Sequence, residues 1–114
     1  MYLRQTTQRR VVVLATTTRH QRATYRVRLS REFDGEYRRQ LRAEIIAALA
    51  CGSREFVVDC ESWDRIDLAL LSVLIQCAKV CGDQQADFEL VNVPHEVRSG
   101  IRALRLEHRL RLSA

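Results

Sequence analysis

Residues 54–93 set the tightest limit on what this chain folds into. "REFVVDC" is short, β-branched and apolar, with Phe56, Val58 and Cys60 alternating to one side, the pattern of a buried strand. Asp67 then stands at a helix N-cap position. After it the apolar residues Leu70, Leu71, Leu74, Ile75 and Ala78 recur at helical spacing, predicting an amphipathic helix to about Cys81 with Gly82 as its stop. "ADFELVNV" follows as a further strand, with Phe88 and Leu90 inward. Strand, helix and strand in succession argue for an α/β sheet.

The flanks extend the same alternation. "RVVVLATTT" (10–18) reads as a strand, "RHQ" as a turn, and "ATYRVRLS" (23–30) as a half-buried strand with Tyr25, Val27 and Leu29 on one face. A helix is predicted over 36–50, capped by Asp34 and stopped by Gly52, with Leu41, Ile45, Ala48 and Leu49 inward. Pro94 suits the first turn of a last helix. Val97, Ile101 and Leu104 would face inward there, and Arg98, Arg102 and Arg105 outward. The order β-β-α-β-α-β-α predicts one mixed four-stranded sheet with helices mainly on one face, in a single domain over residues 1–114 (core roughly 10–112). The tail "EHRLRLSA" has no assignment. On the open face of the sheet, Arg26 and Arg28 are expected to be neutralised by Glu55, Asp87 and Glu89 across the strands.

Composition narrows the function classes. With 114 residues and 46% hydrophobic content, the chain can bury one core and is not disordered. No apolar run approaches the roughly 18 residues of a membrane-spanning helix. "MYLRQTTQRR" has no apolar stretch of a signal peptide, so the cytoplasm is the expected location. Cys51, Cys60, Cys77 and Cys81 form no Cys-x-x-Cys pair and read as small apolar residues rather than as a zinc site or disulfides. The net charge is +5, with only Lys79 among the 19 basic residues not arginine. No basic run exceeds two residues, which disfavours nucleic acid; a basic module using Arg98, Arg102 and Arg105 remains an alternative.

No catalytic constellation is present. There is no Gly-rich phosphate loop, HExxH or Gly-x-Ser-x-Gly elbow, and His20, His95 and His108 are scattered. Asp59, Asp64 and Asp67 cluster at one strand–helix turn. Three carboxylates there could hold Mg²⁺, but capping by Asp67 and solvation of Asp64 account for them more simply. No catalytic residue, metal or cofactor is therefore assigned.

The segment "REFVVDCESWDRIDLALLSVLIQCAKVCGDQQADFELVNVPHEVRSGIRALRLEHRL" resembles the STAS domain, the fold of bacterial anti-sigma-factor antagonists. The family pattern of a hydrophobic strand, D-L-S-G-V-x-x-I-D-S-S-G-L-G-V-L and a later L-V-N-V-x-P-x-V-R runs in register here. Ile66 and Asp67 stand at its "I-D". Upstream, Glu32, Phe33 and Asp34 align with the family's G-E-L-D helix start, and Arg31 replaces its glycine. The family's Ser-Ser-Gly is Leu68, Ala69 and Leu70. The second serine is the one that a kinase-like anti-sigma factor phosphorylates in many members, so Ala69 is the phosphosite equivalent and cannot accept phosphate. Ser72, at a family glycine one turn on, is the alternative phosphosite. Ser62 occupies the turn glycine, and Arg105 a late glycine.

This resemblance implies a non-enzymatic regulatory module, monomeric or weakly dimeric, that binds a kinase-like anti-sigma partner through the start of the 67–81 helix. Without the serine it would not be switched there by phosphate. Asp34, Asp64, Asp67, Leu68, Ala69, Ser72 and Gln76 are the candidate partner-binding residues, with Leu68 and Ala69 as an apolar spot among acids. An alternative from the same family is the accessory STAS subunit of a phospholipid ABC transporter, docking on its ATPase.

Overall fold

The computed structural model describes residues 12–16 and 24–113, the first of these segments by its backbone alone. Its elements run β1 (Val12–Thr16), β2 (Thr24–Arg28), α1 (Gly35–Ala50), β3 (Glu55–Asp59), α2 (Leu68–Asp83), β4 (Asp87–Val91), α3 (His95–Ala103) and β5 (Arg111–Leu112). The expected turn at 19–21, His20 and the first ten residues lie outside the described residues. The strands form one mixed sheet in the order β1-β2-β3-β4-β5. β1 and β2 are antiparallel, with Leu14 opposite Arg26. The other pairs are parallel, with Val27 beside Val58, Val58 beside Leu90, and Leu90 beside Leu112.

One face of this sheet is covered. Tyr25 and Val27, Phe56 and Val58, and Phe88 and Leu90 are buried, and they meet Leu41, Ile45 and Leu49 of α1, Leu70, Leu71 and Leu74 of α2, and Val97 and Ile101 of α3. Arg26, Arg28 and Asp87 on the other face are exposed. Alternation with period two in the strands and a single stripe on each helix thus produce the predicted two-layer α/β arrangement.

Several details differ from expectation. The unassigned tail returns to the sheet: Leu110 is buried, β5 pairs with β4, and the Ser113 amide donates to Leu90 O at 2.9 Å. In α1 the deepest stripe is Tyr37, Leu41, Ile45 and Leu49, with Ala48 only partly buried. In α2 it passes through Cys77 and Cys81, leaving Ile75 and Ala78 half-buried. Leu104, expected inside, caps α3 and is 47% exposed. Pro94 is the N-cap of α3 rather than a first-turn residue.

All three helices end in the same closure, in which the amide two residues past the cap bonds back to the carbonyl five residues earlier. The pairs are Ser53 N to Ala48 O at 3.0 Å, Ala86 N to Cys81 O at 2.8 Å, and Leu106 N to Ile101 O at 3.0 Å. The closure needs a left-handed residue, and these are Gly52 (φ 110°), Gln85 (φ 61°) and Arg105 (φ 60°). Gly82 therefore does not stop α2; it lies inside the helix, and Gln85 makes the turn.

Cross-strand neutralisation is partial. Arg28 Nε lies 3.8 Å from Asp59, and Arg111 Nη1 lies 3.8 Å from Asp87. Glu55 instead accepts from the Thr24 hydroxyl at 2.9 Å.

Candidate functional site at the start of the second helix

β2, β3 and β4 run parallel, so α1, α2 and α3 all begin near the edge where these strands end, the usual place for recognition in open α/β sheets. Asp59 holds this edge together. Its side chain is almost wholly inside, with the residue 8% exposed. Its Oδ1 accepts from the Glu61 amide at 3.1 Å and from Asn92 Nδ2 at 3.2 Å, while Oδ2 faces Arg28. One carboxylate thereby ties the ends of β2 and β3 to the loop after β4. A buried carboxylate with several donors is a structural tether.

Aromatic packing seals the floor beneath the β3–α2 loop. Trp63 is fully buried, and its ring meets Phe33 edge-on at 6.4 Å; Phe33 in turn packs on Tyr37 at 6.0 Å. Neither Trp63 nor Tyr37 stood out from the sequence. Tyr37 begins the i, i+4 series continued by Leu41 and Ile45, so the signal was available. Trp63 lies in a four-residue turn without periodicity and gave none. The Tyr37 hydroxyl accepts from the Ser30 amide at 2.9 Å, and burial pushes its pKa up to about 12.

The two aspartates expected as caps are caps. Asp34 Oδ1 accepts from the Tyr37 amide at 2.8 Å, and Asp67 Oδ1 from the Leu70 amide at 3.0 Å. Leu68 immediately follows with 66% of its surface in solvent, and Ala69, Ser72 and Gln76 are exposed along the same helix. Leu68 therefore does not fold back into the core. Before it, Ile66 is 37% exposed and lies against Gly100 of α3. Asp64 and Asp67 line a shallow groove together with Phe33 and Ile66, joined there by Arg31, Glu32 and Arg65. The rim is thus of mixed sign rather than acidic. Asp34 belongs to the adjoining start of α1 and does not line that groove. Gln76, two turns along α2, lines a different groove between α1 and α2.

The arginines expected outside α3 do not form a continuous stripe. Arg98 is half-buried and donates to Ser113 O at 2.6 Å, which anchors the tail. Arg102 and Arg105 are exposed as expected, Arg105 with its backbone in the helix closure. Of the cysteines only Cys51 is exposed. Burial raises Cys60 and Cys77 to about 12 and Cys81 to about 11, which makes them packing groups rather than nucleophiles. Among the described residues no group of three or more His, Cys, Asp or Glu side chains is arranged to hold a metal ion, and no helix is long and apolar enough to cross a membrane.

An open mixed sheet with helices on one face, and an exposed apolar helix start held by a capping aspartate, place the chain in the α/β class. The chain belongs to the STAS domain family: the family model described as "Mlab, STAS domain" matches residues 16–112. Its fold is similar to that of the protein TM1081, solved by NMR, with a TM-score of 0.72 and 15% identity over 79% of this chain and 73% of that one. It is also similar to the anti-sigma factor antagonist SpoIIAA in its unphosphorylated form, with a TM-score of 0.69 and 18% identity over 90% of this chain and 89% of that one. No curated protein sequence matches the chain.

Proposed function

We propose that this protein is a non-enzymatic regulatory STAS module that docks a protein partner on the start of α2, with no phosphate gate at residue 69. The observation that carries the reading is the pair Leu68 and Ala69: a solvent-facing leucine and a methyl group stand in the first turn of α2, where the family frame places serines. Phosphate there would add nearly two negative charges and a tightly held hydration shell. Ala69 leaves a surface that stays dry-competent at all times. The partner class that fits is a kinase-like anti-sigma factor, consistent with the similarity to SpoIIAA, and the antagonist would then act constitutively in the cytoplasm. The ATPase subunit of a lipid transporter would use the same surface.

The test measures binding of the full chain to each of these partner types from the host by calorimetry, with and without ATP. The reading expects one of them to bind, ATP to leave the 69 position unmodified, and Leu68→Arg to abolish binding while the melting curve is unchanged. Binding unaffected by Leu68→Arg sinks the proposed surface. Phosphate on Ser72 that releases the partner sinks the ungated mechanism and replaces it with a displaced switch.

A further inference from the structure

α1 and α2 leave a long open groove on their outer side, away from the sheet. Its floor is apolar: Ala43, Ile46, Ala47 and Ala50 of α1 with Val73 of α2. Arg38, Arg39 and Arg42 line its other end, near the start of α1, and no acidic residue lines it. We propose that this groove is a second docking surface, and that it takes an acidic amphipathic helix of a protein partner.

Shape and charge select that occupant. The groove lies between two helices whose backbone groups are already paired, so it offers no strand edge; an occupant has to satisfy its own backbone, which a helix does. Three alanines on one side let a third helix approach α1 closely. The α1 side is about 24 Å long at the standard rise for its 16 residues, room for several turns. An enclosed small-molecule site would bury most of its ligand, whereas this groove is open along its length. The arginines sit in the first half of α1 and the apolar floor in the second. The bound helix therefore carries acidic residues at one end and an apolar stripe along the rest. Charge argues against the two occupants that this chain itself could supply. The segment "MYLRQTTQRR" is basic, and a second copy packing groove to groove would bring three more arginines to a groove with no acid to meet them, in a chain of net charge +5. This surface goes beyond the α2 start, although Gln76 lines it.

A photo-crosslinking residue placed at Ala47 of the full chain in its host, with a parallel probe at Leu68, tests the inference. The adduct at 47 is expected to map to a segment of negative charge with apolar residues at i, i+3, i+4 and i+7. The double variant R39E/R42E is expected to reduce its yield about tenfold or more, while its melting temperature stays near that of the parent because both side chains are exposed. An adduct to a lipid, a basic segment, the chain's own N-terminus or a second copy overturns the proposal, as does no adduct or an unchanged yield after charge reversal. The probe at 68 separates the two surfaces: an adduct there alone leaves the α2 reading standing without the groove, and an adduct at 47 alone does the reverse.

Discussion

Arg105 ends α3 in a conformation that costs an L-residue energy, and that cost is measurable. At φ 60° its Cβ crowds the neighbouring backbone, an arrangement worth roughly 1–2 kcal/mol against a residue with a side chain. Glycine escapes the crowding but loses more freedom on folding, by about 0.5–1 kcal/mol. The difference predicts that Arg105→Gly stabilises the protein by about 0.5–1 kcal/mol. In a chain of this size that is a rise of about 2–6 °C in melting temperature. Gln85→Gly, at the same closure in α2 with φ 61°, should behave alike, and the pair should add because the sites are independent. Gly52 is the built-in control. At φ 110° it already holds the glycine, so Gly52→Ala should destabilise by about 1 kcal/mol or more. Urea titrations of the three single variants and the Gln85→Gly/Arg105→Gly double variant, compared by midpoint at constant slope, measure all of this. A lower midpoint for Arg105→Gly would refute the strain argument and show that the arginine side chain has a stabilising role that outweighs its backbone.

The other predictions bear on the site. Leu68→Ala removes a side chain with two-thirds of its surface exposed; at about 1.5–3 kcal/mol for full burial of leucine, partner affinity should fall about 5- to 30-fold with stability unchanged within about 0.5 kcal/mol, and an unchanged Kd rejects Leu68 as a contact. Ala69→Asp should release the partner as phosphate would, and Ala69→Ser should become phosphorylatable if the partner is a kinase; mass spectrometry and the same binding assay read both. Asp59→Ala removes a buried carboxylate and its part-buried bonds to the Asn92 side chain and the Glu61 amide, and should cost about 1–3 kcal/mol in urea titration, so a loss below about 0.5 kcal/mol would deny Asp59 its tethering role. A Cβ at Gly100 would lie 3.1 Å from Ile66 Cδ1, tighter than ordinary contact; Gly100→Ala should therefore displace Ile66 and weaken partner binding, its helix-propensity gain of up to about 1 kcal/mol offset by the crowding, and unchanged binding would show that Ile66 does not support the site. Burial keeps Cys60 and Cys77 protonated to about pH 12, above their ordinary value of 9.0. Their contribution to stability is thus complete below about pH 9 and is lost as pH climbs toward 12, at no more than about 1.4 kcal/mol per pH unit for each thiol. Native alkylation at pH 8 should label Cys51 alone.

What was readable in the sequence was whatever repeats. Period two in "FVVDC" and "DFELV", and period 3.6 from Leu41 to Leu49 and from Leu70 to Leu74, fix the strands, the helices and the covered face of the sheet, because burial acts on each of these residues separately. Asp34 and Asp67 were readable as caps because an N-cap is a local bond between a side chain and an amide three residues on. Gly82 misled, since a glycine near a helix end signals a stop only if the chain turns there. The chain turned three residues later at Gln85, where the amides of Gln85 and Ala86 close back onto Gly82 and Cys81. β5 was illegible for a different reason: two residues carry no period, and their pairing depends on β4 and on the Arg98 bond to Ser113, contacts that exist only once the sheet has formed.

The candidate site follows the same division, and this bears on its function. Its frame, the Asp67 cap and the helix phase that sets Leu68 partly outward, is local and was legible, whereas the sequence left open whether Leu68 folds onto the neighbouring loop; the structure leaves it 66% exposed. Its support is not local: Trp63 under the loop, Ile66 on Gly100, and the Asp59 carboxylate reaching Asn92 33 positions away. A first turn of helix held by three such remote tethers is rigid before a partner arrives, and a preorganised apolar surface loses little entropy on binding. The proposed ungated mode of binding would depend on that economy. With no phosphate at residue 69 to break the contact, the proposal places release on the partner's side, so competition for the partner should set the occupancy of the complex. The fraction of partner bound should then fall more on adding a rival ligand of the partner than after any covalent change on this chain. A complex that dissociates only after modification of this protein would contradict it.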